Sequence, residues 1–103
     1  MAVQNRILFW FWTPLRNIMF SVYLLQSQKN KSQVYLGYTS LKVEKRLVVH
    51  NNGFVRSTRP YKPWKIIFCE IFINKDDAKR REKYLKTTQG KKGLKLILRN
   101  TLK

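Results

Sequence analysis

The chain has 103 residues, of which 44% are hydrophobic and 14% aromatic, which is enough for one globular domain with a modest core. Twenty-two Lys and Arg residues oppose five Asp and Glu residues, so the net charge is +17 and favours nucleic acid as partner, with an anionic membrane surface second. The lone Cys69 excludes a disulfide within the chain and fits a reducing compartment, so we expect a cytoplasmic protein.

Residues 1–18 precede the first predicted strand and contain the apolar run of residues 7–12. This run is too short for a transmembrane helix, and a signal peptide would need a longer apolar core before a small-residue cleavage site. Two interpretations remain: an interfacial membrane anchor rich in aromatic residues, or an extension without a role upstream of a working start at Met19. We favour the second, expect no stable membrane insertion, and assign the fold to residues 19–103.

Residues 21–26 and 34–38 combine β-branched, aromatic and aliphatic side chains, which predicts two strands. The polar residues 27–33 between them predict a turn, so the two strands form a hairpin. Tyr23 and Tyr35 then lie on neighbouring strands. From the residues alone, their default role is packing in the sheet.

A helix is predicted over residues 41–51, and it carries Arg46 and His50 four positions apart on one face. A permanent cation beside a group that titrates near neutral pH suits a site that acts on a phosphate. The structural alternative is chance placement on a helix surface, with His50 a favourable partner of the helix dipole.

Residues 54–63 mix cations with Ser, Thr, Pro and Tyr, which predicts an ordered but irregular loop. Residues 64–73 are apolar at nearly every position, as expected of a central strand covered on both faces, with Cys69 packed inside it. A second helix is predicted from a cap at Asn74 or Asp76 to Lys86. Gly90 and Gly93 should then break the chain before a third helix over residues 94–102.

Glu82 shares one face of the second predicted helix with Ala78 and Leu85, so its carboxylate faces the core. Leaving a half-buried carboxylate unpaired is costly, so Glu82 should have a cation as partner. That partner is either Arg46, in a structural ion pair that the residues alone favour, or a divalent metal ion.

In their order along the chain, these residues resemble the GIY-YIG domain, and in particular the small stand-alone bacterial excinuclease-like proteins of that family. Its two short motifs correspond to Val22-Tyr23-Leu24 and Tyr35-Leu36-Gly37. The resemblance covers about residues 20–100 and continues downstream in Arg46, His50-Asn51, Arg56-Ser57-Thr58, Pro63-Trp64-Lys65 and residues 78–86.

The resemblance implies an α+β fold, a small three-stranded antiparallel sheet flanked by helices, and hydrolysis of DNA with one divalent metal ion, Mg²⁺ or Mn²⁺. Glu82 would be the metal ligand, and Tyr35 or Tyr23 would position or deprotonate the attacking water. Arg46 would bind the scissile phosphate, and His50 would act as base or proton relay. Cations that would hold the flanking DNA, if they are not simply a solvated surface, are Arg56, Arg59, Lys62, Lys86, Lys91 and Lys92.

Two departures from the family pattern keep a second function open. Tyr38 stands where related repair nucleases have Lys, and Arg46 lies one residue further from Gly37 than the pattern has it, as a loop insertion would produce. The leading hypothesis is a metal-dependent DNA endonuclease of low sequence specificity, and the alternative is a non-catalytic basic nucleic-acid-binding module on the same fold. We expect activity that is weak, selective for DNA structure, or dependent on a repair or recombination partner, from a monomer or weak dimer.

Overall fold

The computed structural model describes residues 19–103, so the predictions for residues 1–18 lie outside the described residues. Strands β1 (Phe20–Ser27), β2 (Val34–Thr39) and β3 (Trp64–Phe72) form one antiparallel sheet. Helix α1 (Val43–Asn51) follows β2, a 3₁₀ turn (Arg59–Tyr61) precedes β3, and helices α2 (Lys75–Leu85) and α3 (Thr88–Ile97) follow it. The predicted α+β fold, a three-stranded antiparallel sheet flanked by helices, is confirmed.

The central strand of the sheet is β1, because the strand order is β2-β1-β3. Every residue of β1 after Phe20 is buried. The prediction that residues 64–73 form the central strand is therefore wrong, since β3 lies at an edge of the sheet and is mostly half-buried. Its continuous apolar run reflects packing on both faces: Ile66 contacts one apolar cluster and Phe68 the other.

Each face of the sheet carries its own apolar cluster. The face under α2 and α3 holds the buried residues Val22, Leu24, Ala78, Leu85, Leu94 and Leu98. The face under α1 holds Tyr23, Leu25 and Trp64, with half-buried neighbours that include Tyr35 and Leu47. Because successive residues of a strand point to opposite faces, β1 supplies both clusters, and Tyr23 lies in the smaller one.

Helix α1 begins later than predicted and ends as predicted. The Thr39 hydroxyl accepts a hydrogen bond from the Leu41 amide at 3.0 Å, which holds residues 39–41 in a turn ahead of the helix. Past the helix, Gly53 has a φ of +77°, a conformation that glycine adopts without the strain of a side chain. The chain can therefore reverse there and lead into residues 54–63, the basic loop, which contains Arg56, Arg59 and Lys62.

The third helix differs from the prediction. Gly90 and Gly93 do not break the chain but lie inside α3, whose cap is Thr87, and the Thr87 hydroxyl accepts a hydrogen bond from the Gly90 amide at 3.1 Å. A Cβ on Gly90 would lie 2.6 Å from the Cα of Leu85, so this glycine is required for the close approach of α3 to α2. Within residues 19–103, the helices fall short of the length and apolar character that a membrane crossing requires.

Candidate functional site

Tyr23 on β1 is paired across the sheet with Gly37 on β2. A Cβ on Gly37 would lie 2.5 Å from both Cζ and the hydroxyl oxygen of Tyr23, and 2.9 Å from Cε1 of Tyr35. Only a residue without a side chain therefore lets the two tyrosine rings lie over this point of β2, where their centroids are 6.3 Å apart. This is the physical reason for glycine in the second short motif.

The Tyr23 hydroxyl is the centre of a chain of hydrogen bonds. Arg46 donates through Nε to the Tyr23 oxygen at 3.4 Å, and that oxygen lies 2.9 Å from Nε2 of His50. On the other side of the imidazole, Nδ1 of His50 lies 2.8 Å from the hydroxyl of Thr58. The Thr58 hydroxyl donates in turn to the Val55 carbonyl at 3.3 Å. Side chains from β1, α1 and the basic loop are thus joined.

These contacts assign the proton positions in the chain. Since the Thr58 hydroxyl donates to a carbonyl, its oxygen accepts from Nδ1–H of His50, which leaves a lone pair on Nε2. Nε2 therefore accepts the O–H of Tyr23, while the Tyr23 oxygen accepts from Arg46. In this arrangement His50 is a neutral imidazole aimed at a phenol, which is the geometry of a general base acting through tyrosine.

Burial sets the protonation of both groups. Burial lowers the pKa of His50, and the charge of Arg46 lowers it further. Burial also raises the pKa of Tyr23; the hydrogen bond from Arg46 opposes this rise, whereas the neighbouring Tyr35 and Glu82 add to it. His50 has no exposed surface and Tyr23 is 1% exposed, so any exchange of a proton between His50 and a water molecule must pass through the Tyr23 hydroxyl.

Glu82 on α2 is half-buried, with 23% of its side chain exposed, and its Oε2 lies 3.2 Å from Nζ of Lys86. The structural ion pair with Arg46 is therefore absent, because Lys86, one helical turn further on, supplies the cation; none of the salt bridges in the described part of the chain involves Arg46. Helix α2 carries Glu82 within electrostatic range of Tyr23, where its charge is the weakest of the causes that raise the pKa of the phenol.

A site with the single carboxylate of Glu82 suits a divalent cation that keeps most of its bound water molecules. No group of three His, Cys, Asp or Glu side chains that could hold a metal occurs within residues 19–103. Mg²⁺ typically binds through one or two carboxylates together with substrate phosphates and water. Glu82 is therefore compatible with a hydrated divalent ion but not, among the described residues, with a cage of several protein ligands.

The predicted nucleic-acid-binding residues lie in two groups. Arg56, Arg59 and Lys62 are exposed on the loop that contains Thr58, and this loop is attached to the site through His50. Lys86, Lys91 and Lys92 are exposed on α2 and α3. Lys86 is the member that directly contacts a candidate site residue.

Sequence reasoning gave no role to Thr58, Asn51 and Trp64, which hold the site together. Asn51 donates through Nδ2 to the Trp64 carbonyl at 3.1 Å and accepts from the Trp64 amide at 2.6 Å. The Trp64 indole N–H donates to the Thr58 carbonyl at 2.8 Å, next to the hydroxyl that contacts His50. The one signal in the sequence was that these residues all belong to the short segments carrying the resemblance.

Comparison with known proteins places the chain in a family. The family model for the GIY-YIG catalytic domain matches residues 19–95. A UPF0213 protein of Clostridium perfringens is 39% identical over 83 residues, covering 80% of this chain and 86% of that protein. A UPF0213 protein of Staphylococcus haemolyticus is 35% identical over 77 residues, covering 74% of this chain and 90% of that protein. No solved structure matches the chain significantly.

Proposed function

Because the chain belongs to the GIY-YIG family, we propose that its nuclease-type function is that of a metal-dependent endonuclease, which hydrolyses DNA phosphodiester bonds with low sequence specificity. The observation that carries the proposal is the position of the Tyr23 hydroxyl between the Arg46 guanidinium and the neutral imidazole of His50. A phenol with a cation on one side and a base on the other is arranged to lose its proton as it takes one from water.

In the proposed reaction, an attacking water gives one proton to the Tyr23 oxygen while the Tyr23 proton passes to Nε2 of His50. The water oxygen forms a bond to phosphorus, and the phosphorus bond to the leaving oxygen breaks. That oxygen takes a proton from solvent. The resulting imidazolium keeps its Nδ1–H bonded to Thr58, so the proton is held without reorganisation.

Two further residues act on the phosphate. Arg46 forms no salt bridge with an acid in the described residues, so its guanidinium can bind phosphate oxygens and stabilise the charge that develops on them. Glu82 would hold Mg²⁺ or Mn²⁺ together with phosphate and water oxygens, and the metal, when bound, supplies Lewis-acid stabilisation of the same charge. Tyr35, half-buried with its ring centroid 4.9 Å from that of His50, would orient the water.

The test is cleavage of labelled branched, flapped, single-stranded and duplex DNA in Mg²⁺ or Mn²⁺. Wild type should cut at least one of these substrates, and Glu82→Ala should lose cleavage while keeping its fold and DNA binding. Asp76→Ala removes an exposed carboxylate from the same helix and should cleave like wild type. Cleavage by Glu82→Ala at the wild-type rate, or loss of DNA binding in that variant, would contradict the proposal.

The contact between Lys86 and Glu82 favours a second candidate, a nucleic-acid-binding module without turnover. Lys86 already neutralises the carboxylate, and Tyr38, which replaces a family lysine, stacks on Phe20 with ring centroids 6.3 Å apart. If wild type and Glu82→Ala both bind DNA and neither cuts any substrate in either metal, this second function replaces the first.

A further inference from the structure

A groove of about 560 Å³ lies between the edge strand β2 and the two C-terminal helices. Its floor is apolar and includes Leu36 from β2, Leu85 from α2 and Leu94 from α3. Small-molecule sites typically occupy roughly 300 to 1,000 Å³. The groove therefore has room for a ligand the size of one nucleotide, and its floor suits the flat apolar face of a base.

The rim of this groove is cationic. Lys86, Lys91 and Lys95 line it, and no Asp or Glu does so within the described residues. Lys86 contacts Glu82, whereas neither Lys91 nor Lys95 forms a salt bridge with the described acids. An apolar floor with an unbalanced positive rim is complementary to a ligand that is apolar in one part and anionic in another.

The groove floor belongs to the face of the sheet under α2 and α3, whereas Tyr23 lies on the opposite face, so the groove is connected with the candidate site only through two lining residues. Tyr35, which contacts His50, and Lys86, which contacts Glu82, both line it. We propose that the groove binds one unpaired nucleotide of the DNA strand next to the scissile phosphate, with its base on the apolar floor and its phosphates at the lysines. The identity of the strand rests on the proposed nuclease function.

This occupant follows from the chemistry of DNA. A duplex presents phosphates and polar base edges to a protein, and the face of a base becomes accessible only when the base leaves the stack. Unstacking a paired base costs free energy, whereas a base in a flap or a single strand is already free. The groove would therefore make the enzyme select substrates by structure and not by sequence.

The test compares two probes in EDTA, where no cleavage occurs: a single-stranded oligonucleotide and an oligomer with the same phosphate backbone but no bases. The full wild-type chain should bind the base-bearing probe about 10-fold more tightly, because the face of a base is buried against the apolar floor. Val34→Glu should abolish this preference, because Val34 lines the groove, is half exposed, and a carboxylate there opposes burial of an apolar face. Val48→Glu adds the same charge at an exposed valine on α1 outside the groove and should retain the preference.

A second pair of variants tests the rim. Lys91→Ala with Lys95→Ala should weaken binding of both probes, and the log–log salt slope should fall by about 0.7 for each phosphate that the protein no longer neutralises. Lys75→Ala with Lys83→Ala removes two exposed lysines that do not line the groove and should have a smaller effect.

Equal affinity of wild type for the two probes, or a base preference that survives Val34→Glu, would overturn the groove assignment. If Val34→Glu fails to fold, Ser32→Glu places a carboxylate in the same groove from the turn before β2 and is read in the same way. If the protein cleaves DNA but shows no preference for the base-bearing probe, the proposed nuclease function stands and the nucleotide-binding role of the groove is rejected. If it shows that preference but cleaves no DNA, the nucleotide-binding role stands and the nuclease function is rejected.

Discussion

The chemistry of the candidate site depends on a histidine that solvent does not reach. His50 is fully buried, and both of its ring nitrogens have partners, Tyr23 on one side and Thr58 on the other. The threonine hydroxyl selects the tautomer, so a buried residue of the loop determines which ring nitrogen keeps a lone pair facing Tyr23. Arg46 reaches the same phenol from α1, whereas its neighbour Lys45 is exposed.

Burial of His50 predicts how stability depends on pH. Its pKa is lowered from the usual 6.5, so between its folded-state pKa and 6.5 the unfolded chain binds more protons than the folded chain. This contribution to stability is therefore fully present above pH 6.5 and is lost as pH falls through the folded-state pKa. Urea unfolding between pH 5 and 7 should show the midpoint rising with pH.

His50 is the only histidine of the chain, so His50→Gln is a direct control for that measurement. The variant should show a flatter dependence over the same range, because only the carboxylates then titrate near it. A slope in His50→Gln as steep as that of wild type would assign the effect to other groups.

At the level of the elements, two glycines allow close approach of neighbouring parts of the chain. Gly37 leaves room for the tyrosine rings over β2, and Gly90 lets α3 pack against the end of α2. Gly93 lies one turn further along α3, where an added Cβ would have no neighbour within 4 Å. The packing of α3 therefore requires glycine at position 90 but not at position 93.

This contrast predicts opposite effects of the same substitution. Gly90→Ala should destabilise the fold by about 1–3 kcal/mol, because its Cβ would overlap the backbone of α2. Gly93→Ala should stabilise it by about 0.5–1 kcal/mol, since alanine is the better helix former and meets no neighbour. Thermal or urea unfolding of the two variants measures both effects. Similar changes in both would show that α3 does not pack closely on α2.

Across the whole molecule, charge and shape have separate roles. The net charge of +17 provides affinity for any polyanion and contains no sequence information. The fold places part of that charge near the candidate site: the basic loop is attached through Thr58 to His50, and Lys86 through its ion pair to Glu82. We therefore expect DNA to contact the protein at the basic loop and at Lys86.

Salt titration of duplex binding measures how many of these cations bind phosphate. Replacing Arg56, Arg59 and Lys62 together with alanine should reduce the log–log salt slope by about 0.9 for each phosphate left without its cation, and so by up to about 2.7. A matched triple alanine variant at the exposed Lys75, Lys83 and Lys103 should change the slope less. Equal reductions would mean that the DNA is bound by charge alone, with no preferred surface.

The sequence by itself determined the fold class, the two strands of the hairpin and the family, because strand patterns and motif spacing are local along the chain; of the two cap candidates for α2, Asn74 and Asp76, the structure selected Asn74. Only the tertiary structure showed that β1 and not β3 is the central strand. A run of apolar residues indicates that both faces of a strand are covered, but it does not indicate whether the strand has a hydrogen-bonded neighbour on one side or on both. The tertiary structure also decided that Gly90 lies inside a helix, because the close contact with Leu85 involves a second helix. The partner of His50 depends in the same way on where the basic loop meets α1, whereas the partner of Glu82 is Lys86, four residues further on, which helical spacing alone could have predicted.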